Sequence, residues 1–341
     1  MNILYIGDDN LASTSRHRAD SLTRIGHNVY INNPYIIFSN KYINSLHYHT
    51  GYFFLQNKML DWVTKLLQIK LSYDFIWINS GELLGVKVLQ LLKSLNVPII
   101  LYVNDDPTGG RDGNRFNSLI KSISFYDLCA VVRDENIDEF YRIGAKKVLR
   151  VPMSYDEVKH DRISNYLDIP LHYKSEVAFI GTWMKDENRD IFLKILIDSG
   201  INISIWGDRW EKSKLWKFLK KYHRGESLSG RDYVYAIQGS KICIGLLSKR
   251  NRDLYTTRSV EIPFAGGLLC AERTSIHQEM YKENKEALFW DNAEECVQIC
   301  KKILGDDLLR ESIRNAGMKR VLELNSGNED VSKSIIDFID S

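Results

Sequence analysis

No Cys-x-x-Cys pair occurs among the five cysteines (Cys129, Cys243, Cys270, Cys296 and Cys300), and no histidine follows them at zinc-ligand spacing. Cys296 and Cys300, one helical turn apart, read as two buried thiols rather than as ligands. An odd count scattered through apolar segments reads as a reduced, cytoplasmic protein. No apolar run approaches the ~18 residues needed to span a bilayer. The start, Met1-Asn2-Ile3-Leu4-Tyr5-Ile6-Gly7, lacks the basic and long apolar regions of a signal peptide. If membranes matter, the expectation is a peripheral seat on the cytoplasmic face of the inner membrane. Excess charge of one sign is also missing. Lys plus Arg number 46 against 44 Asp plus Glu, a net +2, which argues against a duplex-DNA binder. Neither Gly7 nor Gly181 opens a Gly-x-Gly-x-x-Gly run, which disfavours a dehydrogenase.

What is present is a globular composition, 44% hydrophobic and 26% charged, over 341 residues, a length suited to two domains. Strand and helix signals alternate, the pattern of a parallel sheet covered by helices on both faces. Expected strands are Ile3–Gly7, Val29–Ile31, Phe75–Ile78, Ile99–Val103, Leu128–Val132 and Val148–Pro152, with helices over Thr14–Ile25, Leu83–Leu95 and Arg115–Ser124. The stretch 153–175 is polar and without period, and reads as a linker. The rhythm restarts with strands Val177–Gly181, Asn202–Gly207, Ile242–Leu246 and Gly267–Cys270, and with helices Asp190–Ser199, Ala293–Leu304 and Leu308–Leu324. The fold class is therefore α/β, two Rossmann-like doubly wound domains, 1–152 and 176–324, followed by a C-terminal helix over 325–341. Ligands of such sheets bind outside the carboxyl ends of the strands, so two facing units imply a two-substrate cleft.

The densest candidate segment runs from Asp253 to Glu272. A helix starting near Thr256 aims backbone N–H groups at a phosphate, and Arg258 adds a fork that grips two phosphate oxygens. Glu261 is an acceptor-only group suited to adjacent ribose hydroxyls. The same residues also describe a surface helix with an Arg–Glu i,i+3 pair. In the first half, Gly7-Asp8-Asp9-Asn10 and Arg16-His17-Arg18 occupy the loop and helix start after the first strand. A charged cluster there suits an anionic substrate or its phosphates, and His17 joins the catalytic candidates. Asn104-Asp105-Asp106-Pro107 follows a buried strand. Asp106, or Asp9, is a candidate general base that takes a proton from a substrate hydroxyl; where no base is needed these residues, with Asp105, would position that substrate. The aromatic run Tyr42–Phe54 reads as core or as a wall for sugar stacking.

Thr257-Arg258-Ser259-Val260-Glu261-Ile262-Pro263-Phe264-Ala265-Gly266-Gly267, continuing to His277 and Asn284–Trp290, resembles the C-terminal signature of GT-B glycosyltransferases. The nearest group is the CgeB-like branch of the family-4-type clan, and the resemblance covers Val177 to Leu304 well. It implies a transferase that uses a nucleotide diphosphate sugar as co-substrate, needs no cofactor or bound metal and retains configuration. Glu261 stands where the clan's Glu-x7-Glu motif holds the donor ribose. Asp253 lies eight residues earlier, near the place of the first Glu, and departs from the pattern. The resemblance further implies donor contacts for Thr257, for Thr182, Lys185 and Arg189 near the diphosphate, and for Gly230 and Arg231 near the nucleobase. Its acceptor is a glycan, a glycolipid or another hydroxyl compound, as in polysaccharide biosynthesis. A nucleotide-sugar 2-epimerase and a non-catalytic binding or structural protein remain the alternatives.

Overall fold

The computed structural model describes residues 1–38, 46–69 and 71–340. Tyr42 of the aromatic run lies outside the described residues. Two compact units account for the chain, Met1–Met153 joined by the C-terminal helix Asn328–Asp340, and Ser154–Gly327.

The first unit carries β1 (Asn2–Ile6), β2 (Asn28–Asn32), β3 (Phe75–Asn79), β4 (Ile99–Val103), β5 (Leu128–Val131) and β6 (Val148–Arg150). They form one parallel sheet in the order β2-β1-β3-β4-β5-β6. The central strands are buried on both faces, which is why they read as continuous apolar runs and not as alternating ones. Ile76 and Ile78 enter one core layer. On the other face Trp77 stacks between Tyr5 and Tyr102, at centroid distances of 6.4 and 6.2 Å. The helix Thr14–Arg24 is capped by Ser13 and is followed by Gly26 at φ +96°, a left-handed turn that glycine adopts without steric penalty. The C-terminal helix packs on it through a Ser21–Ser332 hydrogen bond of 2.9 Å and an Arg24–Glu329 ion pair.

The second unit repeats the plan with β7 (Ser175–Ile180), β8 (Ile203–Trp206), β9 (His223–Gly225), β10 (Ser240–Gly245), β11 (Leu269–Glu272) and β12 (Leu288–Trp290). Their order is β12-β11-β10-β7-β8-β9, again parallel throughout. One core layer lies under the helices Arg189–Asp198 and Ala293–Leu304, the other under Gly230–Gln238 and Arg258–Phe264. The expected linker is packed structure. Tyr155, Ile163 and Ile169 are buried in the second layer, Tyr155 stacks on Phe264 at 3.9 Å, and Ile163 exchanges two hydrogen bonds with Gln238. Its only regular elements are the short turns Tyr166–Asp168 and Leu171–Tyr173, so no period betrays the burial.

His277 is fully buried and ties β11 to the helix Arg258–Phe264. Its Nδ1 donates to the Glu272 carbonyl at 2.7 Å, which leaves Nε2 to accept from Ser259 Oγ at 2.8 Å. Burial lowers its pKa to about 4, against the opposing pull of the Glu272 carbonyl.

Two predictions follow from this packing. Gly207, which ends β8 at φ +139°, would bring an added Cβ to 2.1 Å from the Gly181 carbonyl. Gly207→Ala should therefore lower the urea midpoint by the equivalent of at least ~1 kcal/mol, and an unchanged midpoint would remove the close approach. For His277 the folded pKa lies below the unfolded value of roughly 6.5, so the unfolded state binds the extra proton. Stability should fall as pH drops from about 6.5 toward 4, by at most about 1.4 kcal/mol per pH unit. Unfolding of His277→Gln measured across that window should show a shallower slope than wild type.

Candidate functional site

In each sheet the chain winds outward in both directions from one pair of neighbouring strands, β1 and β3 in the first, β7 and β10 in the second. At such a switch point the loops leave in opposite directions and open a crevice at the carboxyl ends. The strand-end carbonyls there have no ladder partner and require other donors.

In the second unit arginines supply them. Arg189, at the start of its helix and 8% exposed, donates Nη1 to the Thr182 carbonyl at 2.9 Å and Nη2 to the Leu247 carbonyl at 3.2 Å. It thereby joins the loop after β7 to the loop after β10. Arg258 donates Nε to the Ile180 carbonyl, the last of β7, at 2.6 Å. Its two terminal nitrogens make no hydrogen bond among the described residues. Trp210 adds a 2.9 Å bond from Nε1 to the Gly181 carbonyl. The Glu187 carboxylate accepts from Ser248 Oγ, Lys249 N and Arg250 N at 3.1–3.3 Å, pinning the two loops from the opposite side.

Glu261 lies one turn beyond Arg258 and is 6% exposed. Its Oε2 accepts from the Tyr233 hydroxyl at 2.7 Å, and Oε1 faces His160 Nε2 at 4.0 Å. His160 Nδ1 accepts the Asp156 N–H at 2.9 Å, so the ring proton resides on Nε2 and points toward the carboxylate. Burial first, and the Glu261 charge second, keep the Tyr233 hydroxyl protonated. A carboxylate has about four acceptor sites, so Glu261 retains capacity for further hydroxyl donors.

The helix of this segment begins at Arg258, two residues beyond Thr256, and spans seven residues. The amides of Ser259, Val260 and Glu261 are bonded to the carbonyls of Thr256 and Thr257. The expected row of amides aimed at a phosphate is thus reduced. Asp253 is buried, with Oδ1 receiving Asn251 Nδ2 at 3.3 Å. Lys185 is exposed on the loop after β7. Gly230, at φ +54°, opens the helix Gly230–Gln238, and Arg231 donates to the Asp161 carbonyl at 2.8 Å. Hydrogen bonds from Ser227 to Asp208 hold the end of β8 beside this turn and keep the Asp208 carboxyl below the usual range. A cavity of about 310 Å³ opens at the other layer, lined by Glu187, Leu247, Glu272, Phe192 and Trp290 among others. Of the expected donor residues only Arg189 reaches it.

The first unit departs from expectation at its charged residues. Arg18 is 3% exposed, donates to Asn79 Oδ1 at 3.1 Å and lies 4.0 Å over the Tyr102 ring. It braces the β1/β3 switch point and offers no charge to a ligand. His17 is buried, with Nε2 at 3.1 Å from the Leu11 carbonyl, and Arg16 pairs with Asp20 at 2.7 Å. Asp106 is 1% exposed and accepts from Gly109 N at 3.0 Å and Asn136 Nδ2 at 2.9 Å. It clasps its own loop, and this burial removes it as a base open to an acceptor. Asp105 binds Arg115 at 2.9 Å and Arg111 at 3.4 Å, and exposed Asp9 accepts from Asn33 at 2.6 Å. Of the aromatic run, Tyr52 is buried while Phe53 and Phe54 are 68% and 65% exposed.

Sequence reasoning missed a buried cluster at the ends of β2, β3 and β4. Glu82, 2% exposed, accepts from Tyr35 Oη and Arg115 Nη2, both at 3.0 Å. Its signal was present as a lone carboxylate three residues past a buried strand.

Residues 189–330 match the family model described as glycosyl transferase-like. A search of curated proteins gives no match. Among solved structures, sucrose-phosphate synthase from Thermosynechococcus elongatus is similar at 13% identity and a TM-score of 0.71, over 99% of this chain and 98% of that one. HepE of Anabaena in complex with UDP-glucose is similar at 12% identity and a TM-score of 0.71, over 100% and 99%. A UDP-forming trehalose-phosphate synthase from Burkholderia xenovorans aligns at 12% identity and a TM-score of 0.65, over 100% and 98%. At these identities the likeness shows the fold, and the family model adds the sequence of the second unit. The chain has the GT-B fold of two Rossmann-like domains, and its residues 189–330 are glycosyl transferase-like.

Proposed function

We propose that the protein transfers a sugar from a nucleotide diphosphate sugar to an acceptor hydroxyl, with retention of configuration and without a bound metal. The observation that carries this reading is the Arg258–Glu261 pair at the β7/β10 switch point, within the stretch 189–330 that matches the glycosyl transferase-like family. Arg258 is held by Nε on the Ile180 carbonyl, so its terminal nitrogens are oriented before any ligand arrives. They meet the negative charge that develops on the leaving diphosphate, with exposed Lys185 as a second cation. Glu261 takes the ribose hydroxyls, with its orientation held by Tyr233 and His160. Gly230 and Arg231 border the nucleobase, Thr182 and Thr257 lie along the phosphates, and Asp253 faces the sugar. Arg189 acts beneath them by fixing both loops.

Retention agrees with the first unit, where Asp106 is locked into its loop and retention asks for no acceptor base. Metal independence rests on the cationic groups offered to the diphosphate, with Asp105 already paired to Arg111 and Arg115. The uridine nucleotide of the HepE complexes makes UDP-glucose the first donor to try. The CgeB-like kinship belongs to the same reading, as do a glycan or glycolipid acceptor and a peripheral seat on the cytoplasmic side of a membrane. No helix among the described residues is long and apolar enough to cross one.

The test is thermal unfolding against UDP, GDP, TDP, ADP and CMP, with and without magnesium. A nucleotide at ~100 times its dissociation constant adds about 2.7 kcal/mol, which should raise the midpoint by several degrees. Arg258→Ala and Glu261→Ala should abolish that rise and donor turnover while the far-ultraviolet circular dichroism stays that of wild type, and Arg258→Ala, which leaves the Ile180 carbonyl without its donor, should itself lower the ligand-free midpoint by several degrees. Undiminished turnover in both variants would sink the assignment. Product formed without an acceptor would favour the epimerase, and binding without turnover the non-catalytic protein.

A further inference from the structure

The fold brings a third cysteine to the pair on the helix Ala293–Leu304. Cys270 of β11 joins Cys296 and Cys300, and the three sulfurs lie within 4.8 Å of one another. All three are fully buried, and Cys129 and Cys243 are outside the group. The register explains the meeting. Cys270 sits between Ile244 and Leu288 on the face of the sheet that the helix covers, and i,i+4 spacing turns Cys296 and Cys300 toward the same spot. A pyramidal three-thiolate centre with bonds near 2.3 Å and angles of roughly 95° has sulfur–sulfur edges of about 3.4 Å, so sulfurs that lie within 4.8 Å of one another close on one centre by drawing together by about 1 Å.

We propose that Cys270, Cys296 and Cys300 form a three-thiol site for a trivalent thiophilic centre, arsenic(III) or antimony(III). Charge selects the valence. The surroundings are apolar and the three thiols are fully buried among Leu268, Leu288 and Val297. Three thiolates around a monovalent or divalent ion would leave net negative charge buried in that core, which is strongly unfavourable. Arsenous acid avoids it. Each of its three As–OH groups exchanges for one As–S bond, and each thiol proton leaves with a hydroxyl as water. One As(OH)₃ and three thiols give one neutral As(S–Cys)₃ and three waters, with no change in oxidation state. The product would bond β11 to the helix Ala293–Leu304, independently of any sugar chemistry.

The experiment incubates the full-length protein overnight with sodium arsenite at neutral pH, then removes excess reagent. Thiols are counted after denaturation under acid quench. The expected result is one arsenic per chain by elemental analysis, a fall from five reactive thiols to two, and a higher unfolding midpoint. Arsenite that captured only opened chains would lower the midpoint, because it would bind the unfolded state. Cys300→Ala and Cys270→Ala should lose the stoichiometric arsenic, whereas Cys129→Ser should keep it. Uptake only on refolding with arsenite, with the same raised midpoint, would also support the site. Five titratable thiols after both treatments, a lowered midpoint or undiminished binding by Cys300→Ala would overturn it.

Discussion

A parallel sheet that winds outward from its middle leaves unpaired carbonyls at one place, and the second unit is organised around that deficit. At the ends of β7 and β10 the loops part, so the carbonyls of Ile180, Gly181, Thr182 and Leu247 have lost the strand that would have bonded them. Arg258, Trp210 and Arg189 supply the missing donors. A buried carbonyl without a donor costs roughly 1–3 kcal/mol, and four in one crevice would open it. The same bonds that make the loops foldable also fix their spacing, and the spacing defines the site.

The first unit meets the same constraint with different chemistry. There Arg18 rises from the helix Thr14–Arg24 to Asn79, at the end of β3, and lies on the Tyr102 ring. Asp106 turns inward to satisfy the Gly109 amide and Asn136. A guanidinium or carboxylate at a strand end can therefore serve either the backbone or a ligand, and residue type does not distinguish the two. The distinction lies in where the polar atoms end. Arg18 is enclosed by ring and helix, whereas Arg258 engages a carbonyl with Nε alone.

This also explains what was legible beforehand. Strands such as Ile99–Val103 and Phe75–Asn79 are buried on both faces, so their apolar runs stand out from the chain. The helix Ala293–Leu304 was read with its true ends, because Asn292 caps it and its apolar positions recur at helical spacing. The three-residue strands His223–Gly225 and Leu288–Trp290 carry too little sequence to register a period. The segment 153–175 was misread for a related reason, since irregular chain buries single residues such as Tyr155 and Ile163 without repeating them. Glu261 and Arg258 stand out in the sequence by their spacing and by the family resemblance, but the Glu261 partners Tyr233 and His160 come from distant segments that only the fold brings together. The meeting of Cys270 with Cys296 and Cys300 is likewise a consequence of register, invisible to any local pattern.

The geometry at Arg258 accounts for the choice of that residue over lysine. An ammonium that donated to the Ile180 carbonyl would have its single charged centre drawn to the backbone and away from the crevice. A guanidinium divides the tasks along a rigid plane, with Nε on the carbonyl and the two terminal nitrogens held at a fixed angle to it. Because the plane is set by the fold, little orientational freedom would be left to lose on binding the proposed diphosphate. The carbonyl that had to be satisfied for the sheet to close thus becomes the support that orients the charge. At the Ile180 carbonyl, stability and orientation of the charge share one hydrogen bond, and a substitution that preserved only the positive charge would separate them.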